Sequence, residues 1–278
     1  MDLDTYRQDS RQTWDNMAPG WESHREWLLG FTAPLNEWIV ERADPQPGDT
    51  VLDIAAGTGD LGFLAAERTD PDGRLITTDF APEMIEAARR NGEAKGVENV
   101  EYRVLDAESM DLEDDSVDAV VSRWSYMLMA DPAAALAETR RVLKDGRSAA
   151  FVVWQTPDRN LWAAIPAMTL VQRGHMPPPE PGAPGIFAMG EQDRVRELVT
   201  GAGFEDPQVE ELTFEWRYDG ERLWETLTSL AGPLARVVNG LPDDERAATR
   251  EAIEAGMDQF RDGDALVVPA ACWGVVAR

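Results

Sequence analysis

"VLDIAAGTGDLG", residues 51–62, decides how the chain is read. A short apolar run interrupted by Asp53 enters a glycine-rich turn, and Asp60 opens an apolar-periodic stretch behind it. Strand, turn and helix in that order are the first half of a βαβ unit. Gly57, Gly59 and Gly62 satisfy G-x-G-x-x-G in the context a nucleotide-binding turn requires. Glycines there let the backbone approach a ligand closely, and the start of the helix offers unpaired N–H groups. A dinucleotide would seat its pyrophosphate on those groups, so the turn alone leaves the ligand open.

Outward from the turn, the pattern predicts strands at 50–56, 74–80, 100–105, 117–123 and 148–154, with helices near 60–69, 82–95 and 131–144 between them. Short apolar strands alternating with helices imply an α/β fold whose doubly wound parallel sheet is covered on both faces. Segment 1–45 precedes the sheet; its Trp14, Trp21, Trp27, Phe31, Leu35, Trp38 and Ile39 predict one or two amphipathic helices, interrupted at "MAPG", 17–20. Segment 46–155 is the core, and 156–188 an insertion that ends in the Pro-rich "MPPPEPGAPG". Segment 189–218 returns a core helix and strand. Segment 219–262 is a helical insertion, with Asp243 as a capping residue, and 263–278 is the final strand.

The chain has 278 residues and carries 52 acidic against 26 basic residues, a formal charge of -26. Nucleic-acid backbones need clustered Lys and Arg, so this balance argues against such a partner and equally against an anionic membrane surface. Lys95 and Lys144 are the only lysines, which fits a high-GC genome or a salt-adapted host. Cys272 is the only cysteine, which rules out an intramolecular disulfide and a multi-cysteine metal site. With no basic patch ahead of an apolar run at the start, and no apolar stretch long enough to cross a bilayer, the expectation is a soluble cytoplasmic protein without membrane insertion.

Two carboxylates narrow the ligand. Asp53 inside the strand and Asp60 at the helix entry would repel a pyrophosphate at close range. A phosphate-free ligand with positive groups meets no such penalty, and S-adenosylmethionine (SAM) carries an ammonium, a sulfonium and one carboxylate. Asp79, in "ITTDF", stands at the end of the next strand, where an acidic side chain accepts ribose hydroxyls; that placement alone suits NAD equally. Asp106, in "VLDAES", stands at the third strand end, placed for an adenine edge. Each of Asp60, Asp79 and Asp106 also reads singly as a capping or solvated turn residue; together, at successive positions, they point to a nucleoside.

The stretches "VLDIAAGTGD" (51–60), "TTDFAPEMIEAAR" (77–89) and "LDAESMDLEDDSVDAVVSRWSYMLMADPAAALAETRRVLKDGR" (105–147) resemble the class I SAM-dependent methyltransferases, most of all the ubiquinone/menaquinone-biosynthesis C-methyltransferase-like group. The resemblance covers about residues 10–155, and "APGIFAMGEQDRVRELVTGAGF" (183–204) more loosely. It implies a seven-stranded, mostly parallel, Rossmann-like methyltransferase fold with its last strand antiparallel. It also implies a cofactor site with Asp53, Ala55, Gly57, Thr58 and Gly59 at the methionine end, Asp79 on the ribose, Phe80 and Met84 flanking the adenine, Asp106 and Ala107 at its amino group, and Ser122 and Arg123 beside the methionyl group. Trp21 joins that set from the N-terminal segment, which in this family folds over the cofactor.

Methyl transfer needs the nucleophile and the methyl group held in line with water excluded, which supplies roughly 7 to 11 kcal/mol. A hydroxyl or enolisable carbon also loses a proton, and His24 and His175 are the candidate bases, each also readable as a surface or interhelical residue. Tyr126 is a candidate for orienting the substrate, or else packs beneath the cap. The segment "SRWSYM" (122–127) holds no Asp or Glu, so no metal is expected. Trp14, Trp21, Trp124, Met127, Met129, Trp154, Trp162 and Met168 form an apolar pocket if they face inward, and are core otherwise. The expected function is methyl transfer from SAM to a small apolar or aromatic metabolite, on O or C, with the insertions as a lid that leaves little room for a macromolecule. The alternatives are an NAD-dependent oxidoreductase, which Asp53, Asp60 and the lack of a Tyr-x-x-x-Lys pair disfavour, and a non-catalytic SAM-binding protein.

Overall fold

The computed structural model describes residues 2–70, 72–180 and 182–278. Two long helices come first, α1 (Leu3–Ser23) and α2 (Arg25–Ala43). Then follow β1 (Thr50–Ile54), α3 (Asp60–Thr69), β2 (Arg74–Asp79), α4 (Pro82–Lys95), β3 (Val100–Val104), β4 (Val117–Arg123), α5 (Pro132–Val142) and β5 (Leu143–Trp154). The second half holds α6 (Leu161–Gln172), α7 (Gln192–Gly201), β6 (Gln208–Asp219), α8 (Arg222–Ser229), α9 (Pro233–Asn239), α10 (Asp243–Met257), the two-residue β7 (Arg261–Asp262) and β8 (Ala265–Ala277).

The strands form one sheet in the order β3-β2-β1-β4-β5-β8-β6, with β7 paired to β8 off that path. Neighbours from β3 to β5 pair in parallel, whereas β8 runs antiparallel to both β5 and β6. This is the Rossmann-like methyltransferase fold expected, with a short eighth strand added. Val51, Leu52 and Ile54 of β1 and Val120 and Val121 of β4 are almost wholly buried, as strands covered on both faces must be. Strand order reverses direction between β1 and β4, which opens a crevice beyond their carboxyl ends.

Three local expectations need correction. "MAPG" does not interrupt the first helix: α1 runs through Pro19, and the break falls at His24. Packing outweighs the roughly 3 kcal/mol an interior proline costs. Ala18 is buried against Ala81 and Met84, and Gly20 lies so close to α8 that a β-carbon there would collide with the Ser229 carbonyl. Asp243 is the first residue of α10 and not its cap; its carboxylate pairs with Arg246. The helix expected to run to 144 ends at Val142, where the chain turns directly into β5.

Candidate functional site

A cavity of about 780 Å³ opens over the carboxyl ends of the central strands. Tyr6, Arg7, Ser10, Trp14 and Trp21 of α1 close one side. Residues of α6, the loop residues 176–180 and 182–188, and Leu230 to Leu234 close the other. Arg7 donates to Glu108 through Nε and Nη2 at 2.9 and 2.6 Å, and Arg11 donates to the Phe80 carbonyl at 2.7 Å, so α1 is tied to both β2 and the β3–β4 connection.

At the sheet end, Asp53, Ala55, Gly57, Asp79, Phe80, Met84, Asp106, Ala107, Arg123 and Trp21 all line the cavity. Thr58, Gly59 and Ser122 do not. The Thr58 hydroxyl donates to Asp60 at 3.0 Å, and Gly59 caps α3 at a φ of 86°, with Phe63 filling the space where a side chain would go. The Ser122 hydroxyl donates to the Ile54 carbonyl at 2.7 Å and lies 2.5 Å from Ser125 Oγ, fully buried behind the cavity wall.

The three strand-end carboxylates differ in what they still offer. Asp53 is wholly buried; Oδ2 accepts from the Gly62 amide at 3.0 Å, which only a glycine permits because a β-carbon would strike that carboxylate, and Oδ1 has no partner. Burial raises its pKa well above the ordinary carboxylate value, against the opposing pull of the Gly62 amide and Arg123. Asp79 accepts from Gly57 and Ala81 amides at 3.1 and 3.0 Å, and burial raises its carboxyl to about 6. Asp106 accepts from the Glu108 amide at 2.9 Å, a turn contact that leaves its second oxygen for a ligand. An orphaned buried carboxylate oxygen fits a ligand bearing an ammonium.

Asp60 does not face a ligand as the sequence suggests. Asp60 faces away from the cavity: Arg25 of α2 grips both its oxygens at 2.6 to 2.9 Å, and its side chain is 3% exposed. Asp53 accepts the Gly62 amide inside α3, a contact that packs the helix onto β1.

Beyond the sheet end the cavity becomes aromatic. Trp124, Met127, Met129, Trp154, Trp162 and Met168 line it, joined by Phe187 and Trp216, which sequence reasoning missed, while Trp14 and Trp21 also line it but pack with Phe80 and Met84 at the sheet end. Trp124 stacks on Trp154 with ring centroids 4.4 Å apart, and Trp162 and Trp216 pack around Trp154 at 5.0 and 6.4 Å. Trp124 has a φ of 57° and Ala55 a φ of 53°, a left-handed conformation that costs a non-glycine residue of order 1–3 kcal/mol and marks both strand ends as sites where shape overrides comfort. Tyr126 does not reach the cavity. It is buried beneath it, its hydroxyl 2.8 Å from Thr139 Oγ1.

Neither histidine lines the cavity. His24 Nδ1 lies 3.0 Å from Arg222 Nη1 at the α1–α2 break, and His175 Nε2 lies 3.3 Å from a Glu245 carboxylate oxygen without hydrogen-bond alignment. Sequence spacing carried no information on those distances. Among the described residues, no group of three His, Cys, Asp or Glu side chains is placed to hold a metal ion, and no helix is long and apolar enough to cross a membrane.

A family model described as a methyltransferase domain matches residues 45–161. Aklanonic acid methyltransferase DauC of Streptomyces sp. (strain C5) is 31% identical over 147 residues, 53% of this chain and 66% of that protein. A demethylmenaquinone methyltransferase of Thermus thermophilus is 34% identical over 141 residues, 50% of this chain and 63% of that protein. The match thus spans about two thirds or less of the length of these relatives. The crystal structure of the YcgJ protein from Bacillus subtilis superposes with a TM-score of 0.60 at 19% identity, covering 87% of this chain and 96% of that one. Phosphoethanolamine N-methyltransferase 2 of Haemonchus contortus, solved with SAM, superposes with a TM-score of 0.55 at 18% identity, covering 88% of this chain and 52% of that one. At these identities the superpositions speak for the fold alone.

Proposed function

We propose, for a chain that carries a SAM-dependent methyltransferase domain over residues 45–161, that it moves the methyl group of SAM onto oxygen or carbon of a small aromatic or quinone-like acceptor. The observation that carries this reading is the two-ended cavity: strand-end carboxylates at one end, a tryptophan box at the other, in one continuous space of about 780 Å³. Asp53 would hold the ammonium, Asp79 the ribose hydroxyls, Phe80 and Met84 the adenine faces, and Asp106 with Ala107 its amino edge. Bound there, SAM supplies a methyl group on a cationic sulfur, open to in-line attack.

The remaining work belongs to this chain's residues. Trp124 stands at the β4 end, between the carboxylate end and the box, and its stacking on Trp154 fixes the plane against which a flat acceptor lies. Helix α1 and loop residues 176–180 and 182–188 wall the cavity, and displacing water from it on ligand binding would strengthen the charge contacts inside. Among the described residues the lining holds no histidine, lysine or cysteine; of its two glutamates, Glu108 is committed to Arg7 and to the Ala130 amide at 2.7 Å, and Glu180 is exposed in the loop at the cavity rim. Tyr6 donates to the Leu128 carbonyl, and burial pushes its phenol up to about 12. A lining without histidine, lysine or cysteine suits an acceptor that supplies its own acidity: a phenol, hydroxyquinone or 1,3-dicarbonyl that ionises near neutral pH. The names of the relatives, aklanonic acid and demethylmenaquinone methyltransferases, favour that class.

The test is methyl transfer from isotopically labelled SAM onto a panel of hydroxynaphthoquinols, phenols, 1,3-dicarbonyls and aliphatic amines. Labelled product from the acidic acceptors, with rates that follow acceptor acidity, is the expected result. Transfer confined to aliphatic amines would overturn the reading.

A further inference from the structure

Trp216 keeps a polar atom where an aromatic wall needs none. Trp124 donates its indole N–H to Cys272 Sγ at 3.2 Å, and Trp162 donates to Asn160 Oδ1 at 3.3 Å. Trp216 Nε1 is buried, and among the described residues no acceptor reaches it. A buried indole N–H ordinarily finds a partner, because without one it forfeits the hydrogen bond it made to water in the unfolded chain. Phenylalanine would supply flat apolar wall without that cost. A side chain that breaks the rule of satisfied donors while lining a cavity points to a ligand.

The surroundings say what that N–H can meet. Trp124, Trp154 and Trp162, which share the lining, lie with ring centroids 6.2, 6.4 and 5.6 Å from it. Trp27 and Tyr218 do not line the cavity; they stack on the Trp216 ring at 5.7 and 6.1 Å and hold its plane. Tyr218 Oη is also buried without a partner, but away from the lining. The Thr226 hydroxyl, another polar group of the lining, is committed to the Arg222 carbonyl at 2.8 Å. Strand β6 is the sheet edge, three strand spacings from β4, or about 14 Å of sheet. Trp216 thus stands on the side of Trp124 remote from the strand-end carboxylates. The atom it meets lies on the far side of the acceptor from the one that takes the methyl group.

We propose that Trp216 is a specificity-determining residue: its N–H donates to a carbonyl, ether or hydroxyl oxygen that the acceptor carries across the ring from the methylated atom. The assignment rests on the reading that the box holds an aromatic acceptor. Neighbouring rings cover the N–H, so they part as the acceptor enters and the bond forms only with the acceptor in place. An acceptor with an apolar edge at that position leaves the N–H unpaired, whereas one with an oxygen satisfies it. Selection therefore works against ring systems that lack the second oxygen.

The experiment is calorimetric titration of the full chain, saturated with S-adenosylhomocysteine so that no methyl group transfers, with two naphthols. One carries a methoxy group across the ring from its hydroxyl; the other carries ethyl there, the same shape without the oxygen. The wild type should prefer the methoxy compound about tenfold, the size of one buried hydrogen bond. Trp216→Phe should bring the two within about twofold of each other, whereas Tyr218→Phe, which removes the neighbouring unpaired donor, should keep the preference. With isotope-labelled tryptophan, one of the ten indole N–H resonances should move downfield on adding the methoxy compound but not the ethyl one, and that resonance should be missing from Trp216→Phe. Equal affinity of the wild type for the two compounds would overturn the proposal, as would a preference that survives Trp216→Phe or is lost equally in Tyr218→Phe. Should Trp216→Phe not fold, as judged by its thermal transition, the wild-type preference and Tyr218→Phe decide the matter by the same criteria. If neither naphthol bound, the aromatic-acceptor reading would fall and the proposal with it; equal binding of both removes the Trp216 assignment alone.

Discussion

Replacing Asp79 by asparagine should make the ligand-free protein more stable and the cofactor site worse. Asp79 ends β2, is 5% exposed, and accepts one backbone N–H on each oxygen. Burial outweighs those two hydrogen bonds and raises its carboxyl from 3.8 to about 6. A carboxyl raised in the folded state contributes stability that is fully present below pH 3.8 and lost as pH rises through about 6; the gap amounts to about 3 kcal/mol lost at pH 8. The neutral amide of Asp79→Asn would escape that loss but has one acceptor oxygen for two N–H groups, and the forfeited bond costs about 1 to 2 kcal/mol. The net expectation is a variant about 1 to 2 kcal/mol more stable than wild type at pH 8, seen as a thermal midpoint raised by roughly 2 to 6 °C in a chain of this size, and less stable than wild type near pH 4. The same substitution removes the charge that ribose hydroxyls would meet, so SAM affinity should drop about 10- to 100-fold. Wild-type affinity should also fade as pH falls through about 6, while the variant's should not. Thermal melts from pH 4 to 8 and calorimetry with SAM read both effects. A variant that melts below wild type at pH 8 would refute the desolvation argument, and unchanged SAM affinity would refute the ribose assignment.

Arg25→Ala leaves Asp60 charged and buried with the Thr58 hydroxyl at 3.0 Å and Lys95 at 3.9 Å, and should cost about 3 to 5 kcal/mol in chemical denaturation; a loss under about 1 kcal/mol would mean the pair is not desolvated as described. Met168 lines the cavity yet is 47% exposed, so Met168→Ala should leave stability within about 0.5 kcal/mol and SAM affinity unchanged, while acceptor KM rises. A change in SAM affinity with no change in KM would reverse the assignment of the two cavity ends. Gly20→Ala should push α1 off the Ser229 carbonyl, lower stability by about 1 to 3 kcal/mol and speed amide exchange in α1; exchange as slow as wild type would contradict the close approach. His24→Ala and His175→Ala should each retain methyl transfer within about threefold, and loss of activity in either without loss of fold would restore it as a base.

What the sequence made legible is what short-range periodicity carries. Asp53, Asp79 and Asp106 stand at strand ends that apolar runs and glycine turns announce, and the parallel pairing of β1 to β5 follows from strands alternating with helices. The misreadings involve partners remote in sequence. Asp60 looked free to face a ligand because Arg25, 35 residues earlier, gave no sign of reaching it. Pro19 looked like a break because the contact that holds α1 straight comes from Ser229 in α8. His24 and His175 have the chemistry of a base, and chemistry does not give distance from a cavity. The aromatic box was half legible: its tryptophans were visible as a group, but Trp216 lies on β6 and joins only because the sheet brings β6 round through β8.

The most direct test of the central claim is calorimetric titration of the full chain with SAM, with S-adenosylhomocysteine and with NAD. The account predicts one site for each sulfur compound and no heat from NAD, because Asp53 and Asp79 line the cavity beside the turn and would meet a pyrophosphate with like charge. Binding of NAD with no binding of SAM would contradict it.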